Sequence, residues 1–382
     1  MPSEFFHRHA PELFIAFFCI IFLAAASGIA GGEVGAFLAA ALDVAVFVIL
    51  AMLVYLAGNR DPAYRWVAIL WLFLLIGGFA AATAGFGIMA IIPAEVLDAG
   101  EVGPETDSFA LIGEVALLLL GVLIAGLASL VGLSRGFRVR LARHLPFDPD
   151  SLLHTVALVV ILAMILITPV PLLVSGGPPF LSPLFLDLLL ESGDLLAETV
   201  TLNAYTLFWT LIGSFLIAGA FVRRTPRETL ERLGLVRPTG RQVVLAVAAA
   251  FALVLAFHFI DQGLAALVGF LGLPVTDEEA VNLLFAGTLT LPGIIVASIA
   301  AGFGEEVSIR GLLQPRFGIL LPALLFASLH AFQYSWDGLI SVFLAGLVFA
   351  YIRRYSNTTT SAITHTVYDL VLFSMLMLGM SI

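Results

Sequence analysis

The chain contains no lysine, a single cysteine and few charges of either sign. Charged residues make up 12% of its 382 residues, against about 25% in an ordinary soluble domain. That shortage excludes a soluble globular chain. Cys19 stands alone in an apolar run, which excludes a disulfide framework and a cysteine metal site. No repeat of fixed period and no low-complexity tail is present. The net charge of −10 sits largely in acidic loops and gives no sign of a nucleic-acid partner.

What the chain has in excess is apolar residues, 61% of the total, with a mean hydropathy of +1.09. They fall into runs of about 18 to 27 residues, the length that crosses a hydrocarbon core. Along such a run only a helix satisfies its own backbone. The runs predict an all-α polytopic integral membrane protein with about eleven transmembrane helices. Six spans are expected at Leu13–Ile29, Gly35–Leu56, Trp66–Ile92, Phe109–Leu133, Leu152–Leu173 and Leu196–Val222. Five more are expected at Val243–Leu267, Leu291–Leu313, Ile319–Phe332, Gly338–Ile352 and Ser361–Met380. The Pro-bounded stretch Leu181–Ser192 is too short to span and reads as interfacial or re-entrant. Ala24-Ala25-Ala26-Ser27 resembles a signal cleavage site, but Glu4 and Glu12 are at odds with a positive n-region, so the first run reads as a retained helix.

All 17 basic residues are arginines. Fifteen of them follow the even-numbered spans: Arg60 and Arg65, then Arg135 to Arg143, then Arg223 to Arg241, then Arg316, then Arg353 and Arg354. The other loops carry acid, at Glu95 to Asp107, Asp187 to Asp194 and Asp277 to Glu279. Excess arginine marks the cytoplasmic side. The alternation predicts a cytoplasmic N-terminus and an exterior C-terminus, in what is expected to be the cell membrane. Residues 223–241 form a basic amphipathic connector, read as a positive-inside anchor. It divides the chain into a six-helix N-terminal region, 1–222, and a five-helix C-terminal region, 223–382.

Ionisable groups inside a bilayer are costly and point to function by default. Asp43, Glu114 and Glu198 in the N-terminal region belong to no motif and read as helix-packing contacts or as residues placed near an interface. His258 and Asp261, one turn apart in the seventh span, read as a local hydrogen-bonded pair. The eighth span is richer, with Gly304-Glu305-Glu306-Val307-Ser308-Ile309-Arg310-Gly311. Glu306 and Arg310 are four apart and share a helix face, so they can pair. Glu305 is turned about 100° away and has no evident partner in the segment.

Two later segments supply partners. The ninth span carries Phe326-Ala-Ser-Leu-His330, and the eleventh carries His365-Thr-Val-Tyr-Asp369. His365 and Asp369 are a turn apart, which lets the carboxylate orient the imidazole. Measured from Arg316 and Arg354 at about 1.5 Å per residue, Glu305, His330, His365 and Asp369 all lie roughly 16 to 22 Å deep. Four polar groups in one layer, on three helices, predict a single water-containing site.

Glu305-Glu306-x-x-x-Arg310, Phe326-x-x-x-His330 and His365-x-x-x-Asp369 resemble the successive motifs of the CAAX protease and bacteriocin-processing family, also called Abi. Arg310-Gly-Leu-Leu-Gln-Pro-Arg316 and the upstream Leu233-Gly-Leu-x-Arg-Pro fit as well. The resemblance covers about the last 160 residues and is strongest over the last 80. It implies a glutamate-dependent intramembrane endopeptidase that needs no cofactor. On that pattern Glu305 activates a water, and His330 with the His365–Asp369 pair binds the oxyanion. Glu306 and Arg310 hold the geometry, with Phe326 in support. The implied substrate is a membrane-associated protein or peptide, lipidated or C-terminally processed. Two departures stand out. Asp369 occupies a position where the family more often has Asn, and Ser308 and Ile309 replace bulkier residues.

Three other readings compete. Glu305, His330, His365 and Asp369 are all capable zinc ligands, but the HExxH helix of zincins is absent. Members of the same family also serve as membrane scaffolds or regulators, with the motif residues structural. Intramembrane carboxylates and histidines also build the proton relays of ion-coupled transporters. Here, though, Leu291-Pro292-Gly293 has no counterpart in the other half, as an inverted repeat would require.

Overall fold

Each of the eleven apolar runs forms a helix in the computed structural model, which describes residues 2–28, 31–92, 108–191 and 194–380. The helices are α1 (Pro2–Ala26), α2 (Gly32–Asn59), α3 (Tyr64–Ile91), α4 (Ser108–Ser129), α5 (Leu152–Ile167) and α6 (Asp194–Ile217). They continue as α7 (Gly240–Phe270), α8 (Leu291–Glu305), α9 (Leu320–Leu329), α10 (Trp336–Tyr355) and α11 (Thr358–Met377). No β-strand occurs among the described residues. The acidic loop expected at Glu95 to Asp107 lies outside them, as do Ile29 and the side chain of Glu198.

Among the described residues, nine helical segments are long and apolar enough to cross a membrane: α1 to α4, α6, α7 and α10, with α5 and α8 taken through their continuations to Ser175 and Phe317. α11 has the length, at 20 residues, but carries His365 and Asp369. The exposed large side chains are aliphatic and aromatic, such as Leu70 and Leu74 on α3 and Leu255 and Phe259 on α7. Such faces suit lipid. The fold is an all-α polytopic integral membrane protein.

Short caps punctuate the chain where the sequence supplies them. Thr225 closes a capping box onto the connector helix Pro226–Leu233, and Gly234 ends that helix in the left-handed region at φ +73°. Thr239 does the same for α7, and Asn357 caps α11 through the amide of Thr360. The stretch read as interfacial forms a helix of nine residues, Pro183–Glu191, too short to cross.

The ninth span differs from expectation. α9 has only ten residues and ends with His330 as its C-cap. At about 1.5 Å per residue it spans roughly 15 Å, half the hydrocarbon thickness. The chain continues without regular structure to Ser335, with Ala331 and Ser335 buried in protein. Protein burial is the condition under which irregular backbone is tolerated at membrane depth.

The loops after the fifth, seventh and ninth helices meet at one end of the bundle. Phe180 N donates to Phe332 O (2.9 Å), Thr276 N to Asp337 Oδ1 (2.9 Å), and Ser335 N to Thr276 Oγ1 (3.0 Å). At the other end Arg223, Arg224, Arg232 and Arg316 converge from the loops after the sixth and eighth helices. The largest apolar core unites α1 to α6. α6 packs along both α2 and α8, and α5 along α9, so the two regions share an interface. Within the C-terminal region α8 packs most extensively against α11. A Cβ at Gly302 would collide with Thr366 Oγ1 and stand 2.6 Å from the Thr366 backbone nitrogen, so only glycine permits that approach.

Candidate active site

The site begins where α8 loses its regularity. After Glu305 the helix widens into a π-helix over Glu306–Leu313. Single-turn insertions of this kind favour functional sites because they re-aim side chains. Ser308 Oγ donates back to Gly304 O at 2.7 Å. The two adjacent glutamates come out in different environments: Glu306 has a side chain 0% exposed, while that of Glu305 is 36% exposed.

Glu306 is held from three directions. Arg310 Nε lies 3.6 Å from its Oε1, Ser361 Oγ donates to its Oε2 at 2.6 Å, and His365 Nδ1 lies 3.4 Å from Oε1. The shared face read from the i,i+4 spacing is observed even though the segment is π-helical. Arg310 is itself fully buried, with its guanidinium 4.9 Å above the centre of the Phe326 ring. Gly346 makes room for that stack, since a Cβ there would stand 3.0 Å from Phe326 Cδ1 and 3.4 Å from Arg310 NH2.

His365 is the hub. Its Nδ1 faces Glu306, and its Nε2 faces Asp369 Oδ2 at 3.4 Å and Glu305 Oε2 at 3.8 Å. Phe349 lies parallel to the imidazole, with centroids 4.3 Å apart and planes at 18°. Both ring nitrogens thus meet carboxylates, which suits an imidazolium with two N–H donors. Glu305 is too distant for a direct hydrogen bond to the ring.

His330 sits beside this cluster and not within it. Its Nδ1–H donates to Phe326 O at 2.8 Å. The Phe326 ring stands between the two histidines, 4.9 Å from His330 and 6.0 Å from His365. The charges of His365 and Asp369 reach His330. With Nδ1 committed as a donor, a neutral His330 presents Nε2 as an acceptor, and only its imidazolium offers a second donor.

Of the seven residues singled out in the sequence, six form one contiguous cluster: Glu305, Glu306, Arg310, Phe326, His365 and Asp369. His330 joins it through Phe326. Sequence reasoning missed Ser361 and Phe349. Ser361 lies four residues before His365, one turn away on the same face, and that spacing was a legible signal. The expected His258–Asp261 pair is not formed. His258 instead meets Gln262 at 3.1 Å, and Asp261 turns to Ser341 on α10. Among the described residues no three His, Cys, Asp or Glu side chains are grouped to hold a metal ion.

Inside a polytopic helical bundle, a buried carboxylate–histidine cluster has the groups that acid–base chemistry requires. The comparisons then narrow the class. Residues 287–371 match the family model described as Rce1-like, type II CAAX prenyl endopeptidase Rce1-like. That segment runs from before α8 to just past Asp369 and includes all seven residues, with Phe349 and Ser361. The resemblance read from the motifs is borne out over this stretch. Neither a curated protein nor a solved structure matches the chain.

Proposed function

We propose that the chain is an intramembrane endopeptidase of the glutamate-dependent kind. The observation that carries the reading is the unequal environment of the adjacent carboxylates. Glu306 is sealed and held by Arg310, Ser361 and His365, whereas Glu305 keeps a partly open face 3.8 Å from His365 Nε2. A structural ion pair accounts for Glu306 and leaves Glu305 without a structural role. The match to a prenyl endopeptidase family model over residues 287–371 supports the same reading.

In this reaction Glu305 accepts a proton from a water as the water oxygen bonds to the scissile carbonyl carbon. The carbonyl oxygen becomes an oxyanion, stabilised by an N–H donor of His365, with His330 beside it, in a site sheltered from bulk water. The C–N bond then breaks, and Glu305 passes its proton to the leaving amine. Asp369 orients His365. Glu306, Arg310 and Phe326 fix the helices that carry these groups. Only side chains of this chain are used, with no metal or cofactor.

The activity is assigned to residues 223–382, with residues 1–222 as a membrane region packed against them. The substrate class is a membrane-associated protein or peptide, lipidated or processed near its C-terminus. The N-terminus is placed in the cytoplasm and the C-terminus outside the cell membrane, a reading supported by the arginines that gather at one end of the bundle. The test is comparative membrane proteomics of cells carrying the wild-type chain or Glu305→Gln. A protein that keeps its full length only with Glu305→Gln supports proteolysis. Identical profiles, with the wild-type phenotype intact, would instead favour a scaffold.

A further inference from the structure

The arginine-rich end of the bundle encloses a cavity that the proteolytic reading does not use. Its volume is about 260 Å³, and its walls come from both regions of the chain. Tyr55, Ser151 and His154 contribute from the N-terminal side, Arg223, Arg224 and Arg232 from the connector, and Arg316 from the segment after the π-helix. No carboxylate lines it. Among the described residues none of the four arginines is within ion-pair distance of an acid, although Arg224 feels the charge of Glu228 outside the cavity, and their hydrogen-bond and ring contacts are to backbone carbonyls or to Tyr55. Arg232 donates to Gly311 O at 3.1 Å and Leu312 O at 3.3 Å. Arg224 donates to Ala218 O, and the Arg223 guanidinium lies 4.6 Å over the Tyr55 ring.

Arginines that serve only as positive-inside anchors reach out into the headgroup layer. Arg227, three residues after Arg224, does so, with its side chain 90% exposed and paired to Glu231. The pocket arginines are arranged differently. Arg224, Arg232 and Arg316 are half-buried and face one another across a shared space. Burial and the like charges of Arg316, Arg224 and Arg353 push the Arg232 guanidinium down to about 10. Like charges held this close with no carboxylate in the cavity are costly, and an anion among them removes that cost. Guanidinium forks match phosphate oxygens with paired N–H donors. At about 30 Å³ of liquid volume per water, the space holds a polar headgroup and not merely a single water.

We propose that this pocket binds a phosphate group, carried by an anionic lipid headgroup or by a free phosphate, and that its donors are Arg224, Arg232 and Arg316. Basic pockets between transmembrane helices on the cytoplasmic side are known to take phosphate-bearing headgroups. The inference is independent of the proteolytic reading, since none of these residues touches the Glu305 cluster. It also gives the N-terminal helices a role, because without Tyr55, Ser151 and His154 the pocket has no second wall.

The experiment uses the full chain in phosphatidylcholine nanodiscs and reads its thermal midpoint. Three additions are compared: phosphatidic acid in the disc, inorganic phosphate in the buffer, and chloride at equal ionic strength. A rise with phosphatidic acid alone assigns the site to a headgroup, and a rise with inorganic phosphate as well assigns it to any accessible phosphate. Arg316→Gln and Arg224→Gln should each weaken the half-saturating concentration about tenfold, as expected for losing a charge-assisted hydrogen bond, while Arg227→Gln leaves it unchanged. Should a pocket variant fail to fold, native mass spectrometry of the wild-type chain with equimolar phosphatidic acid and phosphatidylcholine reads selective retention directly. No rise with either phosphate source, no selective retention, or a rise equally strong in both pocket variants overturns the proposal.

Discussion

Glu306 and Arg310 are both fully removed from solvent, and their nearest charged atoms are 3.6 Å apart, yet no guanidinium nitrogen of Arg310 makes a hydrogen bond among the described residues. The pair is held by Coulomb attraction and by the Phe326 ring under the guanidinium. A low-dielectric setting makes such an arrangement strong when complete and damaging when broken. Glu306→Gln leaves a buried, uncompensated arginine, and Arg310→Ala leaves a buried carboxylate with less support. Each change should lower stability by about 3–5 kcal/mol, the usual cost of breaking one partner of a buried pair. Thermal unfolding of purified protein in detergent measures this. A stable, active Glu306→Gln protein would assign the structural role elsewhere.

Ser361 should behave as a smaller version of the same effect. Its hydroxyl donates to Glu306 Oε2 at 2.6 Å, a hydrogen bond to a charged group. Ser361→Ala should cost about 1.5–3 kcal/mol. The loss should show mainly in the unfolding midpoint, with turnover of the folded fraction reduced less than by any change at Glu305. An unchanged midpoint would mean that Arg310 and His365 hold Glu306 without it.

Glu305→Gln should leave the protein folded and inactive. The substitution keeps the shape, and the side chain it replaces is partly open and forms no short hydrogen bond. The unfolding midpoint should stay within about 0.5 kcal/mol of wild type, as for substitutions away from buried networks. Peptide-bond cleavage in liposomes should fall to background. A Glu305→Gln protein that still cleaves would remove Glu305 as the base.

Reporter fusions at the two termini test the topology. The arginine alternation predicts an N-terminus inside and a C-terminus outside. The geometry is compatible with that count, because the loops after the fifth, seventh and ninth helices meet at one end and the arginines gather at the other. Both termini reporting the same side would mean that one helix fails to cross, and α9, with ten residues, is the first to suspect.

Most of the helices were legible because lipid imposes one rule on every span: a long apolar run must be a helix. The rule fails where protein replaces lipid as the solvent. α9 ends early because the chain around Ala331 and Ser335 is buried against other segments, and no hydropathy pattern records that. The Glu306–Arg310 and His365–Asp369 pairs were legible because both are local, four residues apart on one helix. Glu306 with Ser361 and His365 with Phe349 join different helices, and the sequence hints at them only through the spacing of Ser361 one turn before His365. The π-helix was hidden for another reason: Glu306–Leu313 mixes helix formers with Val307, Ile309 and Gly311, which weaken an α-helix without specifying a wider one. His258 was misread because i,i+3 and i,i+4 neighbours are about equally near, and Gln262 won over Asp261.

The remaining prediction concerns Asp369. Its Oδ2 lies 3.4 Å from His365 Nε2, on the side of the ring facing Glu305, while Glu306 takes the opposite nitrogen. A carboxylate here has no proton of its own to give, so its contribution to an oxyanion is indirect, through the orientation of His365. Asparagine keeps an acceptor oxygen for the imidazole and adds an N–H₂ donor. Asp369→Asn should therefore retain most activity. Asp369→Ala removes the acceptor and frees one edge of the ring. Phe349 and Glu306 still hold the imidazole plane, so the protein should fold. The rate should drop by about 10- to 100-fold, the scale of losing a positioning group in an acid–base site. Cleavage of a reconstituted membrane substrate by wild type and both variants, compared per folded molecule, gives the answer. Equal rates for Asp369→Ala and wild type would remove Asp369 from the site and leave Glu305, His330 and His365 to carry the chemistry.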